Sequence, residues 1–276
     1  MARLLRLCPS VAVLATIFSL SQLVHAQVPV LSDGNSTVEL GGSNSLIEDW
    51  IVDGNSILYE QTLFYRIGTT GPESGLGSLN FLDFTQTGAN SYSAEYELPG
   101  QFLLDISGLL TGGAAGSGTS TLVTSVSIEN TSGALLDLYL FAYSDLDIFD
   151  IDGDTATYQS TTRIDQSDTT GAVVQTTFDS AFDAFELGEY SDQLDSLQDD
   201  ATTTLSNSPT TIGPFDSTFA TMWNPQIGIG ATFNLTITQV ANNIPEVATV
   251  PEPGSIVLLG LGGLALLVVR RRNRAA

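Results

Sequence analysis

The chain has 276 residues, with 31 acidic side chains against eight arginines, a formal charge of −23 and no lysine. It holds one cysteine, Cys8, and one histidine, His25. Without lysine there is no Schiff-base chemistry and no phosphate-gripping Walker lysine, and so few cations exclude nucleic acid as a partner.

The chain opens on Arg3 and Arg6, continues through an apolar core over 11–20, and reaches Val24-His25-Ala26 before Gln27. A positive start, an apolar core and a small-residue boundary predict a secretory signal peptide over 1–26, cleaved between Ala26 and Gln27. Cys8 precedes the apolar core, so it is not the lipidated cysteine of a lipoprotein; it leaves with His25. From Gln27 to Val250 there remain 30 of the 31 acids, Glu252 being the other, against Arg66 and Arg163, a formal −28. With neither His nor Cys, that body has no Ser-His-Asp triad, cysteine nucleophile, ordinary zinc site or disulfide framework. Carboxylate pairs and carboxylate-held metals are what remain for chemistry. The length is enough to bury a stabilising core without cross-links.

The body, 27–244, reads as β-structure nearly throughout. Segments 57–67, 92–98 and 101–109 are strand candidates, separated by turns such as Asp33-Gly34-Asn35 and Asp53-Gly54-Asn55. Residues 111–118 are a glycine-rich link between strands rather than a phosphate cradle, because no helix and no lysine follow. Leu122, Thr124, Val126 and Ile128 alternate with Val123, Ser125, Ser127 and Glu129, and Leu136, Leu138, Leu140 and Ala142 follow the turn at 130–133. That pair predicts a hairpin. Segments 155–164 and 172–178 are further candidates. Phe182, Phe185, Tyr190, Leu194 and Leu197 predict one short helix near 189–199, with Gly188 breaking its phase. Between 226 and 240, Ile227, Ile229, Ala231, Phe233, Leu235 and Ile237 alternate with polar residues, the clearest half-buried strand. The spacing predicts an all-β fold, an antiparallel β-sandwich of jelly-roll type with one short helix.

One acidic run has metal-binding promise. Asp145, Asp147, Asp150, Asp152 and Asp154 alternate with other residues around Gly153. Calcium takes six to eight oxygens and accepts carboxylates from short loops, so these five are candidate calcium ligands. The run is not an EF-hand: Thr161 stands where the bidentate Glu would fall. The competing account is a strand end with outward aspartates and a solvated Asp-Gly-Asp turn. Asp192, Asp195, Asp199 and Asp200 read as the solvated side of the predicted helix, and Trp50 and Trp223 as core rather than sugar-stacking platforms.

Residues 245–249 read as a linker, and 250–276 as a separate signal. The latter runs Val250-Pro251-Glu252-Pro253, an uncharged apolar stretch over 254–269, then Arg270, Arg271, Arg272, Asn273 and Arg274. A membrane helix needs about 20 apolar residues, so this shorter span requires local thinning or snorkelling arginines. The arginines favour the cytoplasmic side and place the body outside the inner membrane. In its order and content this tail resembles the PEP-CTERM sorting signal of Gram-negative bacteria, which an exosortase recognises. The resemblance implies that Val250, Pro251, Glu252 and Pro253 are the recognition motif, and that Arg270, Arg271, Arg272 and Arg274 are a retention signal. It implies a single transmembrane helix that anchors the chain transiently in the inner membrane, before release to the surface or extracellular matrix. Tyr143-Ser144-Asp145-Leu146-Asp147 resembles a segment of other β-rich exported proteins with such tails.

These readings lead to an exported, non-catalytic surface or matrix protein associated with exopolysaccharide and biofilm, with an exosortase-type enzyme as partner. A calcium-dependent carbohydrate-binding module and a secreted carboxylate-based glycosidase are the alternatives.

Overall fold

Alternation at period two dictates the architecture, because successive side chains of a strand point to opposite faces. The computed structural model describes residues 29–41, 46–149 and 153–246. The signal segment with Ala26 and Gln27, the motif Val250, Pro251, Glu252 and Pro253, the apolar tail and its arginines lie outside the described residues. In chain order the first elements are β1 (Val30–Asp33), β2 (Ser36–Leu40), β3 (Ile47–Val52), β4 (Asn55–Leu58), β5 (Glu60–Ile67) and β6 (Ser74–Gly75). After a 3-10 turn (Leu76–Ser78) come β7 (Asn80–Gly88), β8 (Ser91–Leu98), β9 (Phe102–Gly112), β10 (Ser120–Asn130) and β11 (Leu136–Asp145). Then follow β12 (Asp154–Ser160), β13 (Arg163–Ser167), β14 (Val173–Phe178), β15 (Ala184–Glu189) and the helix α1 (Asp192–Gln198). The last are β16 (Thr211–Phe215), β17 (Ser217–Trp223), β18 (Gln226–Ile227) and β19 (Thr232–Asn242).

Two antiparallel sheets form the sandwich. The first runs β1-β2-β3-β5-β11-β17-β15, with β4, β6 and β18 paired at its margins. The second runs β16-β12-β13-β14-β19-β10-β9-β8-β7. Their facing sides share one core, in which Trp50, Phe102, Ile106, Leu138, Phe219 and Trp223 are almost wholly buried. Both tryptophans are therefore core residues, as the sequence implies.

The first sheet is covered on its outer side as well. Leu197 of α1 and Leu205 pack on Phe64, Phe141, Tyr143, Ala184 and Ala220 in a second cluster. One buried ion pair, Arg66 with Glu73, pins this layer. The Glu73 carboxylate also accepts the Thr203 hydroxyl at 2.7 Å and the Thr203 N–H at 3.2 Å. Arg66 donates to the Thr203 carbonyl at 3.2 Å, and its guanidinium lies 4.3 Å from the Tyr139 ring centroid.

Five local expectations give way to tertiary packing. β10 and β11 are not a hairpin: β10 pairs with β9 and β19, whereas β11 pairs with β5 and β17 in the other sheet. Both strands turn an apolar face to the same core, so the chain crosses between sheets. Asn130, wholly buried, fixes that crossing by donating to the carbonyls of Ala134 and Ile227 at 2.8 Å each. The long strand expected over 226–240 breaks in a turn, leaving β18 on one sheet, β19 on the other and Ile229 67% exposed. Segments 57–67 and 155–164 each split in two, at the exposed Tyr59 and between Ser160 and Arg163. Phe182 and Phe185 belong to the main core beside β15, while the short helix keeps Leu194 and Leu197. Asp192, Asp195, Asp199 and Asp200 are exposed, as expected.

Removing one member of a buried ion pair leaves the other charge uncompensated. Arg66→Ala is therefore expected to cost about 3–5 kcal/mol of stability. Arg163→Ala, which breaks a surface pair with Asp165, is expected to cost under about 1 kcal/mol. Urea unfolding of the two variants checks both values, and equal losses would contradict the assignment.

Candidate functional site

The covered outer side of the first sheet brings carboxylates into a poorly solvated place. Asp145 is the last residue of β11, and its cross-strand partners are Glu60 on β5 and Thr218 on β17. Asp147 lies two residues on, and Asp216 immediately precedes β17. Carboxylate oxygens of Asp145, Asp147 and Asp216 all lie within 4.8 Å of one another. Asp145 is 2% exposed, and its Oδ1 has no hydrogen-bond partner; Asp147 and Asp216 are half-buried.

Asp154, which opens β12, is the fourth carboxylate in this region and is 1% exposed. Its Oδ2 accepts the Ile148 N–H at 2.9 Å and the Gln166 side-chain amide at 3.1 Å, while Oδ1 has no hydrogen-bond partner. Gln166 also donates to the carbonyls of Leu146 and Ser217, and the Ser217 hydroxyl donates to the Asp154 carbonyl at 3.0 Å. These bonds clamp the chain leaving β11 against the start of β17.

Burial is the largest cause of the upward shifts of Asp145, Asp147 and Asp154. Asp145 is pushed up to about 8 by desolvation, and further by the charges of Asp147, Asp216, Glu60 and Asp154. Desolvation and then Asp216 raise Asp147 to about 6. Asp154 rises to about 7 through desolvation, against the lowering effect of its bonds from Ile148 and Gln166.

Of the five expected calcium ligands, Asp145 and Asp147 come together and Asp154 is nearby with one oxygen engaged. Asp150 and Asp152 lie outside the described residues. Asp216 carries no signal in the sequence, because only the pairing of β17 beside β11 brings it there.

A second polar constellation lies on the outer side of the second sheet. With Leu104, Ile106, Val126 and Leu235 buried in the core, their neighbours point outward. The register sets Asp83, Glu95, Asp105, Ser127 and Asn234 side by side across β7, β8, β9, β10 and β19. The adjacent row is Ser93, Ser107, Ser125 and Thr236. Both rows line one groove of 490 Å³.

A family model described as the PEP-CTERM protein-sorting motif matches residues 249–272. The chain carries this sorting motif. It implies recognition by an exosortase, export, and sorting to the cell surface. No curated protein sequence matches the chain significantly. Among solved structures, an aldose 1-epimerase candidate from Escherichia coli K12 matches with TM-score 0.51 and 10% identity, covering 77% of this chain and 98% of its own. A galactose mutarotase related enzyme from Lactobacillus acidophilus matches with TM-score 0.51 and 7% identity, covering 80% and 99%. A galactose mutarotase-like protein from Lactobacillus casei ATCC 334 matches with TM-score 0.50 and 6% identity, covering 78% and 99%. At these identities the likeness shows the fold alone. It nevertheless overturns the expectation of a non-catalytic body, because the sandwich is built like an aldose 1-epimerase candidate and galactose mutarotase-like proteins. Among the described residues no helix is long and apolar enough to cross a membrane, and the expected span over 254–269 lies outside them.

The buried acids set a pH dependence. An acid whose folded pKa lies above its ordinary 3.8 binds protons that the unfolded chain has released. Stability contributed by Asp145 therefore falls as pH rises from about 4 through about 8, and levels off above. Melting temperatures measured in chelator from pH 5 to 9 are expected to decline, and Asp145→Asn to flatten the decline. An unchanged slope in the variant would exclude Asp145 as a source.

Proposed function

We propose that this protein is an exosortase-processed, exported surface or matrix protein whose β-sandwich binds polysaccharide. The sorting motif at 249–272 is the observation that carries the reading. It supports an extracytoplasmic address for the body, and exopolysaccharide is the ligand class we propose for it there. The charge of the body keeps it soluble in a hydrated matrix and works against self-association.

The groove across the second sheet is the surface best suited to a sugar chain. Its hydroxyl, amide and carboxylate rows offer both donors and acceptors over a width of five strands, matching the chemistry of a polyol. Fold-level analogy with proteins named for sugar epimerisation points the same way and is offered as analogy. In a body without His, Cys or Lys, proton transfer to a bound sugar would fall to carboxylates or tyrosines.

The address is tested by the intact mass of the protein from medium, outer surface and inner membrane of the native cell. A product outside the cell that lacks both residues 1–26 and the arginine tail is expected. An intact tail held in the inner membrane would mean a plain anchor and would end the exosortase reading. The ligand class is tested by binding to exopolysaccharide from the same cells, with anomer interconversion and chain cleavage followed in the same samples. Asp105→Ala is expected to weaken binding about tenfold, the value of one or two lost hydrogen bonds. Its melting temperature is expected to hold or rise, because Asp105 stands directly opposite Glu95 and adjacent like charges repel. Binding indifferent to Asp105→Ala would remove the groove from the proposal.

A further inference from the structure

We propose that Asp145, Asp147 and Asp216 form a calcium site at the end of the first sheet. The site is separate from the groove and does not depend on what the groove binds.

The geometry suits this ion. Calcium holds its oxygen ligands at about 2.3–2.6 Å, so ligands on opposite sides of it stand about 5 Å apart. Carboxylate oxygens from three chain positions all lie within 4.8 Å of one another, inside the reach of one such ion. Magnesium keeps several of its waters and is usually held by only one or two carboxylates, so a set of three carboxylates favours calcium. The donors are all oxygen, which disfavours softer metals.

Two further observations point to a ligand. The Asp145 carboxyl that faces Asp147 and Asp216 is 2% exposed, yet its Oδ1 accepts no hydrogen bond. A buried carboxylate oxygen is ordinarily satisfied by a donor or a cation. Countercharge is also absent from the available side chains. The body has two arginines: Arg66 is buried against Glu73, and Arg163 binds Asp165 through two nitrogens, at 2.6 and 2.8 Å. A divalent ion supplies the charge that the sequence withholds. Asp154, 1% exposed with an oxygen also lacking a hydrogen bond, stands nearby as a further acidic neighbour.

The site joins elements distant in sequence. β11 supplies Asp145 and leads into Asp147, and the residue just before β17 is Asp216, so an ion there fastens the chain leaving β11 to its neighbour. Bound calcium is therefore expected to stabilise the fold.

The test is titration of the full, detergent-solubilised chain with calcium chloride after chelator treatment, by calorimetry and thermal melting. One tightly bound calcium and a rise in melting temperature of about 5–10 °C at a hundredfold excess over Kd are expected. Asp145→Asn and Asp216→Asn are each expected to weaken binding at least tenfold. Glu95→Gln, in the groove, is expected to leave it unchanged. The second aspartate variant keeps the test decisive if the more buried position fails to fold. Absence of calcium binding by the wild-type chain would overturn the proposal. So would binding retained in both aspartate variants or lost in Glu95→Gln. Magnesium bound as tightly as calcium would overturn the choice of ion.

Discussion

Thirty carboxylates share two arginines in the body of this protein, and both arginines are already committed. Arg66 goes beneath a second layer, where it ties β5 to Glu73 and, through Thr203, to the chain that carries α1. That one pair lets a helix of seven residues, with little stability of its own, lie flat over the first sheet. The layer then buries the outer face of β11 and β17, and with it the end where Asp145 stands. A carboxylate is thus taken from water while Arg66, six residues away along the same strand pair, stays with Glu73. The charge must be met by protons or by a metal ion, and this choice makes the acidic end of the sheet sensitive to its medium.

The strands legible in the sequence are those with one wet face. β8, β9 and β14 alternate cleanly, because their outer residues meet solvent while the inner ones meet the core. β17, Ser217–Trp223, is buried on both faces, so its small, polar and aromatic residues show no period. β15 was hidden for a related reason: Phe182 and Phe185 pack into the main core beside a helix whose own apolar residues continue the same local pattern. The β10–β11 error has another cause. Alternation tells which face is apolar and a turn tells that the chain reverses, but neither says whether the next strand joins the same sheet or the opposite one.

The site divides in the same way. Asp145 and Asp147 lie two residues apart in the chain, and their spacing exposed them as a candidate. Asp216 depends on β17 lying next to β11, and the row of Asp83, Glu95 and Asp105 depends on the register of three strands. The inference to a body without catalysis failed at a different step. Absence of His, Cys and Lys excludes particular nucleophiles and bases, and that exclusion stands for the body. It does not determine the fold, and it leaves carboxylates in place. The tail, in contrast, specifies an address by a short ordered motif that is legible without any tertiary structure.

The two acidic sets differ in what surrounds them rather than in what they contain. Asp83 and Asp105 are exposed, and Glu95 is half-buried, so water and salt screen their mutual repulsion and no bound ion is required. Asp145 and Asp154 have no such recourse. If the groove binds sugar as proposed, the exposed row would act as a selector rather than a binding centre for metal: at low ionic strength it would repel polyanions and leave neutral chains free to approach the hydroxyl row beside it. At higher salt, or where divalent ions bridge carboxylates on both partners, that discrimination weakens. Buried acids thus tie the stability of the sandwich to the medium around it, while the proposed preference of the groove among glycans would depend on the same medium through the exposed acids.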